Sequence, residues 1–136
     1  MNTERFALQA WAKAEAHLAE AAEQSAETTP MAMVHLAYYA MFHAARAVQL
    51  RNFGKAPKKH SGVVGQFGLH FKDKNAALKA AAGDLSLVFE NRLLVDYNEE
   101  AAITSEQARQ SLQKAIAFLD LCASEFGFPR DGQPPA

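Results

Sequence analysis

Tyr39, Phe42, His43 and Arg46 fall at helical spacing in the stretch His35-Leu-Ala-Tyr-Tyr-Ala-Met-Phe-His-Ala-Ala-Arg46, together with His35 and Tyr38. At those intervals one helix face carries two phenols, two imidazoles and a guanidinium. Such groups hydrogen-bond and stack, and a guanidinium seeks carboxylate or phosphate. The core face of a small soluble protein is normally Leu, Ile and Val. This face is therefore expected to meet something more specific: another subunit, a nucleotide, or both.

Two further groups have types suited to chemistry. Arg92 continues an apolar stripe one turn after Val88 and Phe89, so its permanent charge needs a partner. Asp96 stands four residues on and would pair with it if the helix continues that far. The competing reading is an anion or phosphate contact in a groove. Tyr97 follows, as a phenol that either packs at the bundle end or stacks on a base. Lys58-Lys59-His60-Ser61 forms a local basic patch, either a solvated loop or a phosphate contact at the start of a short helix.

Other chemistries lack their residues. His35 and His43 are eight apart, about 12 Å by helical rise, too far to share one metal ion. No His, Cys, Asp or Glu cluster has metal-ligand spacing, so neither a metal nor another cofactor is expected. There is no G-x-S-x-G, P-loop or H-E-x-x-H. The net charge of -1 offers no global field for nucleic acid, so any such contact must be local. Cys122 is the single cysteine and is read as a buried structural thiol. The opening Met1-Asn-Thr-Glu lacks a basic and an apolar segment, and no apolar run approaches the roughly 20 residues of a membrane span. The expectation is a cytoplasmic protein with no membrane partner.

The elements that would position these groups are all helices. With 136 residues, 49% of them hydrophobic, one domain is expected. Alanine is abundant and β-branched residues are scarce. A first helix is predicted from Thr3 to Gln24, with Ala7, Ala10, Trp11, Ala14, Leu18 and Ala21 inward. A second runs from Pro30 to about Asn52, behind a Thr29 N-cap and with Gly54 as its stop. Being apolar on nearly every side, it should be central. A short third helix spans Ser61 to Phe71, where Gly62, Gly65 and Gly68 are read as allowing close backbone approach. A fourth runs from about Asn75 to Leu94, followed by a polar loop over Asp96–Glu100. A fifth begins with a Thr104/Gln107 capping box and ends near Phe126. The predicted fold is all-α: an antiparallel up-and-down bundle of four long helices plus one short one over residues 1–127, with a disordered tail over 128–136.

Taken in order, Tyr38-Tyr-Ala-Met-Phe-His-Ala-Ala-Arg46, Lys59-His-Ser-Gly62, Arg92-x-x-x-Asp-Tyr97 and Ile103-Thr104 before a long last helix resemble the HEPN family of nucleotide-binding domains. The closest likeness is to small stand-alone prokaryotic members, and it covers roughly residues 3 to 126. The resemblance implies a homodimer with a groove near its interface. It also implies either ribonuclease activity or a binding role, often beside a minimal nucleotidyltransferase in a toxin–antitoxin-like system. The ribonuclease members carry Arg and, four to six residues on, His. Arg92 matches the Arg, but residues 93–103 hold no histidine and Tyr97 stands in its place. A phenol with a pKa of about 10 is a poor acid–base group at neutral pH. The expectation is therefore a non-catalytic nucleotide- or RNA-binding protein, or a nucleotidyltransferase partner, rather than an enzyme. Arg92, Asp96, Tyr97, Tyr39 and His43 would line its groove, flanked by Lys58, Lys59 and His60. The resemblance also raises Tyr97 as a loose match to a tyrosine that some nucleotidyltransferases modify. One alternative is a metal-independent ribonuclease toxin that uses Arg92 and a displaced His60 or His43. The other is a helical interaction module.

Overall fold

A computed structural model describes residues 3–98 and 102–130. They form five helices: α1 (Thr3–Glu23), α2 (Pro30–Phe53), α3 (His60–Phe71), α4 (Ala76–Tyr97) and α5 (Ser105–Phe126). The chain is an all-α bundle of four long helices and one short one. End-to-end contacts give the directions. Glu4 at the start of α1 pairs with Arg51 at the end of α2, and His35 near the start of α2 pairs with Asp96 at the end of α4. Glu27 before α2 pairs with Arg109 at the start of α5. Helices α1 and α4 therefore run against α2 and α5.

α2 is the central helix and packs on all four others. Ala37, Ala40, Met41, Ala44 and Val48, the stripe expected to face inward, are fully buried. Its small side chains let neighbouring helices approach closely, while Trp11, Phe67 and Phe118 fill the space between them. The inward stripe of α1 is buried as read, and Glu15 joins it. In α5, Phe118 and Ser111 are buried beside Ala108, Ala115, Leu119 and Cys122. Burial pushes the Cys122 thiol far above its ordinary pKa, which suits a structural role.

The helix ends follow local signals in most cases. Thr104 and Gln107 form the full capping box, and Gly54 and Gly127 adopt the left-handed conformation at their helix ends. Thr29 departs from expectation. It occupies the N-cap position of α2, but its hydroxyl turns back to the Ser25 backbone and caps nothing. The glycines of α3 also correct the reading. Only at Gly62 would a Cβ collide, 2.9 Å from the Pro57 ring; Gly65 faces open space and Gly68 is in ordinary contact with Ala82.

Two expectations about chain ends are corrected. α4 does not stop at Leu94 but continues through Asp96 to Tyr97, because Asp96 is held there by Arg92 and His35. Residues 99 and 100 of the expected loop lie outside the described residues. The tail expected from residue 128 is packed at its first three positions. The Phe128 ring stacks on Trp11 at 4.6 Å, the Trp11 indole donates to the Pro129 carbonyl, and Arg130 pairs with Glu15 and Asp120. Burial opposes the charge of Arg130, but those two carboxylates outweigh it and raise its pKa. Residues 131–136 lie outside the described residues.

Candidate functional site

The polar face of α2 meets the end of α4 and the start of α3, and a cluster of rings and charges forms where they join. Tyr38 is fully buried at its centre. Its hydroxyl lies 2.6 Å from Nδ1 of His60, the first residue of α3. The His60 ring stacks on Phe42 with centroids 4.2 Å apart and planes 10° apart. Phe89 of α4 packs against Tyr38, with ring centroids 5.7 Å apart.

The position of His60 is set by side chains of α2. Arg46 donates from Nη1 to the Pro57 carbonyl at 2.7 Å, and buried Gln49 donates to the Val63 carbonyl at 3.0 Å. Pro57 in turn rests against Gly62. The loop before α3 and its first turn are thus tied to α2 on both sides of His60.

Arg92 reaches the same cluster from α4. Its guanidinium carbon stands 5.4 Å from the centre of the Tyr38 ring and 5.8 Å from that of Tyr39, a cation–π arrangement. Nη2 donates to the Tyr39 hydroxyl across a long 3.4 Å. Nε lies 3.0 Å from Asp96 Oδ2, but its N–H does not point along that line, so the contact is an ion pair without an aligned hydrogen bond. The other Asp96 oxygen is 3.1 Å from His35 Nε2. Arg92 thus pairs with Asp96 and ties α4 to α2 through Tyr39, and among the described residues most of its donors are unspent.

Protonation in the cluster has identifiable causes. Burial raises the Tyr38 pKa well beyond the ordinary phenol range, with Arg92 partly opposing, so the phenol keeps its proton. Burial, together with Arg92 and Arg46, lowers the pKa of His60, which is neutral at pH 7. A protonated phenol can donate to Nδ1 or accept from an Nδ1–H, so the direction of this bond follows the His60 tautomer. When Tyr38 donates, the His60 proton sits on Nε2; when Nδ1 donates, Nε2 is the free acceptor. His43 lies one turn beyond Tyr39 and stacks on His17 of α1 at 5.3 Å. Burial and the neighbouring His17, Lys13, Arg46 and His60 hold it down to about 4.

The residues singled out in the sequence thus divide. Tyr39, His43, His60, Arg92 and Asp96 come together. Lys58 and Lys59 are exposed on the loop and do not join them. Tyr97 is 79% exposed and also stands apart from the rings. His17 was not anticipated, and Phe89, read as part of the apolar stripe of α4, was not expected to join the cluster. His17 shares its helix face with Lys13 and is an imidazole among alanines, which was the one available hint. Among the described residues, no three His, Cys, Asp or Glu form a metal-ligand group, and no helix is long and apolar enough to cross a membrane.

Comparison with known proteins gives three relatives. A protein of Methanocaldococcus jannaschii named a "putative toxin" is 34% identical over 62% of this chain and 61% of its own length. A "UPF0332 protein" of Thermotoga maritima is 32% identical over 64% of this chain and 65% of its own. A second "UPF0332 protein", from Pyrococcus horikoshii, is 63% identical over 26% of this chain and 24% of its own. The chain thus spans less than two thirds of the length of each relative. The family model described as "HEPN domain" matches residues 7–125, nearly all of the bundle. With its five helices in this order and Arg92 at the end of the fourth, the chain belongs to the HEPN domain family.

Proposed function

We propose that this protein is an RNA- and nucleotide-binding component of a toxin–antitoxin-like pair, which acts in the cytoplasm as a homodimer and holds its ligand without cutting it. The observation that carries this reading is the Tyr38–His60 hydrogen bond. It engages Nδ1 and leaves Nε2 as the outward nitrogen, and in the tautomer in which Tyr38 donates, Nε2 carries an N–H suited to a phosphate oxygen and unsuited to accepting a proton. Arg92, with unspent donors beside it, supplies charge to the same phosphate. Tyr39 and His43 offer ring faces for a base. The name of the Methanocaldococcus relative supports the toxin-like context. The resemblance to two-component HEPN systems supports a minimal nucleotidyltransferase as partner, to which exposed Tyr97 would be an accessible phenol.

Homodimer formation is assigned to the outer face of α4. Leu87 and Leu94 lie two turns apart with Tyr97 close by, all exposed at 44%, 51% and 79%. An apolar stripe of this kind beside a ligand site suits a subunit contact.

A second reading has its own observation: His60 and Arg92 both lie against the Tyr38 ring, and the resemblance pairs an Arg with a His in ribonuclease members. One experiment separates the two. Purified protein is incubated with labelled single-stranded RNA and assayed for both binding and cleavage, with Arg92→Ala and His60→Ala alongside and folding checked by circular dichroism. Binding readings expect intact RNA, and an affinity lowered roughly tenfold or more by Arg92→Ala, the value of a charge-assisted hydrogen bond. Cleavage by the wild type that disappears in His60→Ala would establish the ribonuclease instead.

A further inference from the structure

A cavity of about 610 Å³ opens between α1 and α2, beside the cluster rather than within it. Phe6, Gln9, Lys13, His43, Arg46 and Leu50 line it, with two alanines between them, and none of the lining residues is acidic. Lys13 is exposed and, among the described residues, pairs with no carboxylate. Arg46 commits one nitrogen to the Pro57 carbonyl and keeps its other donors. The charges that act on His43 here are those of Lys13, Arg46 and two imidazoles, with no acid to offset them. A concave, acid-free surface with two cations and a neutral imidazole is suited to an anion.

This cavity is continuous with the Arg92 cluster through side chains of one helix. Arg92 contacts Tyr39, Tyr39 stacks on His43, and His43 and Arg46 line the cavity. From Tyr39 to Arg46 is seven residues, about 10 Å along the helix. A single phosphate cannot touch both ends of that span. Between the ends lie ring faces, and alternating cations and rings is how single-stranded nucleic acid is held.

We infer that the α1–α2 cavity is a second phosphate subsite, so that the ligand is a polynucleotide strand spanning Arg92 and the Lys13–Arg46 pair rather than a mononucleotide. The inference rests on the RNA-binding reading above. Lys13 is its best probe, because it is exposed and unpaired and its replacement leaves the bundle intact.

The test is fluorescence anisotropy with a labelled single-stranded oligoribonucleotide and, separately, a labelled adenosine mononucleotide, across a series of salt concentrations. Wild type, Lys13→Ala, Lys13→Glu and Arg92→Ala are compared. The expected results are tighter binding of the strand, by roughly tenfold or more, and a log K against log salt slope that falls by about 0.7 in Lys13→Ala, the loss of one phosphate contact. Lys13→Glu weakens the strand further and leaves the mononucleotide bound at Arg92 little changed. Unchanged strand affinity and slope in Lys13→Glu, with loss in Arg92→Ala, overturns the second subsite and leaves the RNA-binding reading standing. Equal affinity for strand and mononucleotide also overturns it. A wild type that binds neither overturns both.

Discussion

At the residue scale, the cluster is governed by where protons sit. His43 and His60 are both held neutral, chiefly by burial and then by neighbouring cations. The consequence for stability has a definite sign. In the unfolded chain an imidazole gains its proton near pH 6.5, whereas folded His43 refuses it until about 4. The unfolded state therefore binds more protons as pH falls, and stability drops between about pH 6.5 and pH 4. After discount for the part-exposed ring, the loss attributable to His43 is roughly 1–2 kcal/mol. Urea unfolding at pH 7.5 and pH 4.5 checks this, and His43→Asn should flatten the difference. An equal pH dependence in that variant would refute the assignment to His43. Little of this pairing was legible beforehand. Arg92 and Asp96 stood out because a charge on an apolar stripe demands a partner. That His60 meets Tyr38, 22 residues away, depends on how Arg46 and Gln49 tie the α2–α3 loop, which no local pattern carries.

At the scale of elements, helix ends written in local chemistry were readable and those set by tertiary contact were not. Thr104 and Gln107 satisfy each other's backbone within four residues, so the start of α5 could be read directly. Thr104→Ala should cost about 1 kcal/mol, seen as a lower urea midpoint. Thr29→Ala should cost less, since the Thr29 hydroxyl holds an exposed turn and caps no helix; equal losses would contradict the distinction. The end of α4 was placed three residues early because Asp96 looks like the start of a polar loop. It is helical because His35, at the opposite end of a different helix, and Arg92 one turn before it both reach its carboxylate. The α3 glycines erred in the other direction. A period of three suggested a packed face, yet only Gly62 is held against a neighbour.

At the scale of the whole molecule, α2 could be recognised as central from its apolar circumference, and the bundle followed from five helical patterns and modest connections. The exposed stripe on α4 was not singled out, because attention went to the apolar run of Val88 and Phe89 that leads to Arg92. If that stripe is the subunit contact, sedimentation velocity should find a dimer and Leu94→Glu a monomer. A wild type that sediments as a monomer would remove α4 from this role. The packing of residues 128–130 on α1 carries a different implication, about what completes the surface of that helix. Trp11 and its indole partner, Pro129, stand 118 positions apart. A chain still short of Phe128 has every helix of the bundle, yet the Trp11 ring lacks its stacking partner and the nearly buried Glu15 carboxylate lacks its cation. Helix α1 is thus sealed by a segment beyond α5, and its Trp11–Glu15 face is complete only when residues 128–130 are in place.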